Sequence, residues 1–309
     1  MGFGVTTSSK AVLTEGLVVT GKWNKRSYRI ERLLGEGANG KVFLVQSGKQ
    51  SYALKFGFDA LDLQMEVNVL RELDKKSPSP FLRDADDVEL NGSVYPFYVM
   101  TYVRGATPEH YIRKNGSDWF FLIGLNLLRK LHALHRQGYV FGDLKTDNVL
   151  VSGYGEVELV DYGGVTAKGR SVKQFTELYD RGYWNAGERR ADDGYDLFGF
   201  AIVCLQLSGM GKKLQELAKT LPQNRGPDEL LKLIGESPSC RAVADVLKKA
   251  IAGRYADSAE AVAEWKRAME KHGAAGYPRP VVSALWIKTA FVASIGLFAS
   301  TLYLYLIKG

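Results

Sequence analysis

Two cysteines, Cys204 and Cys240, are all that 309 residues contain. They are too few and too far apart for a disulfide framework, and they suit a reducing cytosol. Histidine is almost as scarce: four residues, scattered, with no Cys/His cluster to hold structural zinc. No block of five or six like charges occurs, because the formal charge of +7 is spread in pairs and singly. That distribution excludes a polybasic tail but permits attraction to nucleic acid or anionic lipid. No internal repeat or low-complexity tract is visible. No charged-then-apolar leader opens the chain, so no secretion signal is expected. Met1-Gly-Phe-Gly-Val-Thr6 satisfies a loose myristoylation pattern and is read as a chance match.

What is present is an ordinary globular composition. With 46% hydrophobic and 24% charged residues, wholesale disorder is excluded, and the length allows one or two domains. One run departs from this. Residues 289–307 are apolar or small and uncharged, bracketed by Lys288 and Lys308. At about 1.5 Å per residue this run just spans a hydrocarbon core of about 30 Å, so a membrane helix is expected.

The chain is organised around residues 138–151, where apolar runs enclose Asp143, Lys145, Asp147 and Asn148. Shortly after, Val157-Glu-Leu-Val-Asp-Tyr-Gly163 ends an apolar run on Asp161. Carboxylates at strand ends beside Lys and Asn suit a polyphosphate, its cation and an attacking hydroxyl. Either stretch alone would also pass for a surface turn between buried strands.

Other pieces stand in order. Tyr28 to Leu34 alternates as a strand and runs into a G-x-G-x-x-G-x-V loop with Gly35, Gly37, Gly40 and Val42. Glycine there lets backbone N–H groups approach phosphate oxygens. A Rossmann loop would continue into a helix, whereas Lys41–Val45 reads as a strand. Lys55 stands among apolar neighbours in the strand 51–56. Residues 61–73 have helical spacing, with Glu66 beside the apolar face. Residues 74–93 read as an exposed loop. Tyr95–Val103 is a buried strand leading to Arg104-Gly105, and 117–137 an amphipathic helix ending at Gly138. Beyond Asp161 lie Thr166, Ser171 and Thr176, then Ala186-Gly-Glu188. Helical patterns begin at Tyr195 and continue to about Lys271.

The combination D-x-K-x-x-N, then D-[FY]-G, with the glycine loop and Lys55, resembles the bacterial Hanks-type serine/threonine protein kinases across residues 21–270. Gly21-Lys-Trp-Asn24, Gly37-Ala-Asn-Gly40, Phe141-Gly-Asp-Leu-Lys145 and Tyr179-Asp-Arg-Gly-Tyr-Trp184 are similar to the YabT-type kinases of spore-forming bacteria. The resemblance implies an α+β, bilobal protein-kinase-like fold followed by one C-terminal transmembrane helix. Its parts are an arm (1–20), the N-lobe and hinge (21–103), the C-lobe (104–271), a juxtamembrane linker (272–288) and the membrane helix (289–307).

It also implies ATP-dependent phosphorylation of protein Ser/Thr hydroxyls and of itself. Asp143 would accept the hydroxyl's proton and Lys145 steady the γ-phosphate. Asn148 and Asp161 would bind Mg²⁺, or Mn²⁺ in its place. Lys55, paired with Glu66, would hold the α- and β-phosphates, and Met100, Thr101 and Val103 would line the adenine site. Asp196 would brace the catalytic loop, and Glu188 would pair with Arg254. A role in sporulation, activation by sequence-independent DNA binding, and a single-pass septal-membrane location with the kinase in the cytoplasm are further implications. Gly296 and Ser300 form a small-xxx-small pair that suits a homodimer.

Three departures matter. The usual H-R-D is Phe141-Gly142-Asp143, which lacks the arginine that reads activation-segment phosphate. The D-F-G phenylalanine is Tyr162. Glu188 stands eight residues before Asp196, where kinases usually have about twelve. A small-molecule or lipid kinase of the same fold, and a nucleotide-binding pseudokinase scaffold, are the alternatives.

Overall fold

The computed structural model describes residues 13–37, 40–75 and 81–276, together with positions 291, 294, 295, 298, 303 and 307. Side chains of 272–276 are not described. Residues to Trp265 form one compact unit, and those from Lys266 a second.

The first unit opens with a six-stranded sheet of order β1-β2-β3-β4-β6-β5. Its strands are β1 (Val18–Thr20), β2 (Ser27–Gly37), β3 (Gly40–Ser47), β4 (Gln50–Gly57), β5 (Leu82–Leu90) and β6 (Ser93–Thr101). All neighbours are antiparallel, and the glycine loop is the β2–β3 hairpin, with Gly35 opposite Val42 and Gly37 opposite Gly40. A side chain at Gly40 is excluded, because a Cβ there would meet the Phe56 carbonyl oxygen at 2.2 Å.

Period-two alternation gives the sheet two apolar faces. One packs Val19, Ile30, Val45, Leu54, Phe56 and Phe97 together. The other packs Ala53, Tyr98 and Met100 against Leu63, Val67 and Leu70 of α1 (Ala60–Asp74). Asp59 caps α1 by accepting from the Leu61 and Asp62 amides at 2.8 and 3.0 Å. Lys55 shares the parity of Ala53 on β4, so it must point at the helix face that carries Glu66.

The expected loop at 74–93 is corrected, since residues 82–90 form strand β5. Asp is a poor strand former, but here three of them anchor the preceding turn. Asp86 accepts from the Trp23 and Asn24 amides (3.1 and 2.8 Å), Asp84 from the Asn24 side chain and the Tyr28 hydroxyl (2.8 and 2.6 Å), and Asp87 from the Trp23 indole (3.1 Å). The Asp84 carboxylate and burial push the Tyr28 phenol well above its usual range. The arm expected over 1–20 lies outside the described residues up to Val12. Leu13 and Leu17 pack on the sheet core, and Val18–Thr20 is β1.

The rest of the unit is mainly helical: α2 (Pro108–Asn115), α3 (Trp119–Arg136), α4 (Asp193–Leu205), α5 (Gly211–Ala218), α6 (Pro227–Glu236), α7 (Ala244–Ile251) and α8 (Ser258–Gly276). Between α3 and α4 lie the short strands β7 (Tyr139–Val140), β8 (Val149–Val151), β9 (Val157–Leu159) and β10 (Thr166–Ala167). Every residue of α4 from Tyr195 to Leu205 is buried, so it forms the core against which α3 and α7 pack. Trp265, fully buried, donates to the Phe121 carbonyl at 2.9 Å and lies flush on α3 at Gly124. Among the described residues, the one helical stretch long and apolar enough to cross a membrane is 193–218. Its apolar character serves this core.

Candidate active site

A cleft of about 760 Å³ lies between the sheet and the helical lobe. Gly35, Gly37, Gly40, Val42 and Ala53 line one wall, Met100, Thr101 and Val103 the connecting strand and hinge, and Asp143, Lys145, Asn148 and Asp161 the floor. Residues separated by more than a hundred positions therefore face one space.

On the sheet side, Lys55 Nζ donates to Glu66 Oε2 at 2.8 Å and to Asp161 Oδ1 at 2.7 Å. The register pairs Lys55 with Tyr98, whose hydroxyl donates to the second Glu66 oxygen at 2.8 Å. Burial works against the Lys55 ammonium, but Glu66 and Asp161 outweigh it and hold its pKa above the ordinary value. Burial likewise opposes the Asp161 carboxylate, and Lys55 outweighs that too, holding its pKa below the usual range. Both groups stand charged, a cation between two carboxylates aimed at the cleft. Glu66 is pushed up by burial, with Lys55 opposing the shift. Tyr98 had no signal in the chain beyond its apolar context.

The catalytic loop runs from β7 to β8. Asp143, nearly fully buried, is held on three sides. Its Oδ1 accepts from Thr176 Oγ1 at 2.8 Å, its Oδ2 from Lys145 Nζ at 2.8 Å, and its carbonyl from Asn148 Nδ2 at 2.9 Å. Lys145 also reaches Thr176 Oγ1 at 3.3 Å. Asp196 accepts from the Phe141 and Gly142 amides of this loop at 2.7 and 2.9 Å. Gly142 has φ +81, and a Cβ there would meet the Gly164 carbonyl oxygen at 2.5 Å. An arginine at this position would force the backbone apart, so its absence belongs to the local geometry.

Asp161 has φ 64 and ψ 81, a left-handed conformation uncommon for non-glycine residues, and it turns the chain at the cleft floor. The Asn148 amide nitrogen is spent on Asp143, which leaves its carbonyl oxygen as the acceptor. A carboxylate and a carboxamide oxygen are hard donors suited to Mg²⁺. Among the described residues no cluster of three His, Cys, Asp or Glu could hold a metal alone. A cation here would complete its shell with water and phosphate oxygens, and the donor set fits that use.

Not every expected residue joins the site. Glu188 and Arg254 are both exposed, and among the described residues no ion pair joins them. The acid–arginine contacts of this region are made instead by Arg181, bidentate on Asp192 at 2.8 Å, and by Arg189 on buried Asp180 at 2.7 Å. The eight-residue spacing to Asp196 was the sign that Glu188 is misplaced for the role. Thr176, which follows Asp161 with Thr166 and Ser171 in the stretch that corresponds to the kinase activation segment, is a direct partner of Asp143 and Lys145. Thr166 is buried on the Gly164 carbonyl at 3.0 Å, which leaves Ser171 as the exposed hydroxyl of the three. The chain carries no local signal for either placement.

Comparison with known proteins agrees with this geometry. A family model for the protein kinase domain matches residues 28–221. The serine/threonine-protein kinase YabT of Bacillus subtilis (strain 168) is 36% identical over 260 residues, 82% of this chain and 75% of that protein. Serine/threonine-protein kinase CLA4 of Candida albicans is 25% identical over 207 residues, covering 62% of this chain and 21% of the relative. Protein kinase C delta type of Homo sapiens is 27% identical over 152 residues, 46% of this chain and 22% of the relative. The last two likenesses thus concern about a fifth of much longer proteins. Glycine hairpin, Lys55–Glu66 pair and catalytic loop fall within the matched span, and this chain belongs to the protein kinase family as a serine/threonine protein kinase.

Proposed function

We propose that the chain is a membrane-anchored serine/threonine kinase in which Asp143 takes the proton of the acceptor hydroxyl. The observation that carries the kinase reading is the convergence of Asp143, Lys145 and Thr176 with Lys55 and Asp161 on one cleft, Glu66 being bonded to Lys55. Glycine-loop amides and Lys55 hold the nucleotide's phosphates. Lys145 neutralises the transferring group, and the Thr176 hydroxyl keeps the Asp143 carboxylate turned towards the acceptor. Asn148 and Asp161 would hold Mg²⁺ against the phosphate oxygens. Bound there, the ion supplies charge neutralisation to phosphoryl transfer. Positioning and electrostatics account for the chemistry, since no covalent enzyme intermediate is needed.

The test is transfer from radiolabelled ATP by the full chain in detergent, to itself and to a generic basic protein. Asp161→Asn and Lys55→Met should each lower turnover by about 10²-fold or more while the protein stays folded. Near-normal transfer by both variants would refute the site.

The anchor is residues 289–307. Most of the run lies outside the described residues, but Phe291, Ser294, Ile295, Phe298, Tyr303 and Ile307 are helical. The five large side chains are 53–70% exposed. Large apolar groups exposed at these described positions suit lipid better than water.

Activation by DNA during sporulation is the finer part of the reading. It rests on the sequence resemblance to the YabT-type kinases, and the net charge of +7 permits it. Lys213, Lys249 and Lys266 are paired with Glu236, with Glu260 and Glu264, and with Glu270. Phosphate contacts on duplex DNA therefore fall to neighbours such as Lys212 and Lys248. Binding of this kind ignores sequence and falls steeply with salt. No retention of duplex DNA at low salt and no change in rate would remove this part.

A further inference from the structure

With glycine at position 142, the arginine that would receive a phosphate on the activation segment is missing, yet Thr176 of that segment sits on Asp143. The segment is stitched down on both sides. Thr166 and Ala167 pair with Val140 and Tyr139, and the Lys168 amide donates to the Gly138 carbonyl at 2.9 Å. Further on, Gly169 donates to the Ala191 carbonyl, Ala191 to that of Arg170, and Val172 to that of Arg189, at 2.8, 2.8 and 2.9 Å. The Lys168 side chain, at the junction of the two ladders, turns back to pair with Asp193 Oδ1 in the first turn of α4.

Asp193 is already a junction. Its Oδ2 accepts from the Ser258 amide and hydroxyl at 3.0 and 3.1 Å and lies 3.5 Å from His135 Nδ1. The other imidazole nitrogen, Nε2, is 2.8 Å from Asp196 Oδ2, the oxygen that accepts the Phe141 amide. A polar path therefore runs from the activation segment to the catalytic loop through Lys168, Asp193, His135 and Asp196. We propose that Lys168 is a positioning residue, its ion pair with Asp193 clamping the unphosphorylated activation segment so that Thr176 meets Asp143. Its side chain is 38% exposed, and a pair so open to solvent adds little to global stability. What it sets is the place of the segment.

The proposal rests on the reading of Asp143 as the acceptor's base. It is tested on the full chain in detergent, with ATP and a generic basic protein as substrates. Lys168→Met should lower kcat about tenfold, with KM for ATP within about twofold and an unchanged Tm, as expected when geometry is lost and fold is kept. Lys168→Arg should restore most of the rate. Asp193→Asn combined with Lys168→Met should lose no more than Asp193→Asn alone, the signature of a shared interaction. Phosphatase treatment and Ser171→Ala should each leave the rate within about twofold. A Lys168→Met enzyme as fast as the parent, or a parent inactivated by phosphatase, would overturn the proposal. So would a loss of rate matched by an equal loss of ATP affinity and Tm. Asp143→Asn serves as the control. If it is inactive while Lys168→Met is fully active, only the clamp fails, whereas an active Asp143→Asn removes the catalytic reading itself.

Discussion

At the scale of single residues, two positions make opposite demands on the backbone and on charge. Gly142 is needed for its missing side chain. Gly142→Ala places a Cβ against the Gly164 carbonyl in a left-handed conformation, a strain of about 1–3 kcal/mol. It should lower turnover about 10- to 100-fold by shifting Asp143, with little change in ATP affinity, as steady-state kinetics would show. His135 is needed for its charge. Burial opposes the imidazolium, but Asp193 and Asp196 prevail and push its pKa up to about 9. The groups that face it are those two carboxylates of α4, with Lys168 beyond Asp193. Because the folded pKa is raised above 6.5, the stabilisation is full below pH 6.5 and is lost as pH rises through about 9. It amounts to roughly 3 kcal/mol. His135→Gln should remove this dependence, and denaturant titrations at pH 6 and pH 9.5 would show the parent losing stability where the variant does not.

At the scale of elements, the edge strand β5 and the turn before β2 depend on each other. The three Asp of β5 satisfy backbone and side-chain donors of residues 23–28, and a Cβ at Gly21 would meet Asp86 Oδ2 at 2.3 Å. Asp86→Ala takes the carboxylate acceptor from three amides, those of Trp23, Asn24 and Asp87, and should cost about 1–3 kcal/mol. The glycine hairpin lies elsewhere in the sheet, so kcat per folded molecule should hold, and thermal unfolding with a parallel activity assay checks both. The helix α4 shows the other dependence. Its apolar run answers to a membrane criterion by composition, and only its burial by neighbouring helices shows it to be a core.

At the scale of the whole molecule, the proposed anchor sets where the kinase works. Lys266, Arg267, Lys271, Arg279 and Lys288 precede the apolar run, and Lys308 alone follows it. The excess of positive charge should keep the kinase in the cytoplasm and carry Gly309 across the membrane. A tag on Gly309 protected from reagents added outside intact cells would contradict that orientation.

The chain by itself determined the chemistry and its order. Glycine loop, Lys55, Glu66, Asp143, Lys145, Asn148 and Asp161 stand in an order that resembles a kinase phosphoryl-transfer site. Each signal is ambiguous within its own turn or strand, and it is their combination in one order that is legible. Helical spacing put Glu66 beside the apolar face of α1, and the kinase resemblance made the Lys55–Glu66 pair legible. The strand β5 was not, because its Asp-rich composition argues for a loop and only its pairing with β6 and with the turn at 23–28 overrides that preference. Tertiary structure alone decided that Thr176 meets Asp143, thirty-three residues away, and that Lys55 spans 106 residues to Asp161. It also decided that Arg181 and Asp192 pair while Glu188 and Arg254 stand exposed. These contacts join segments that approach only after the lobes have packed, and no periodicity within either segment records its partner.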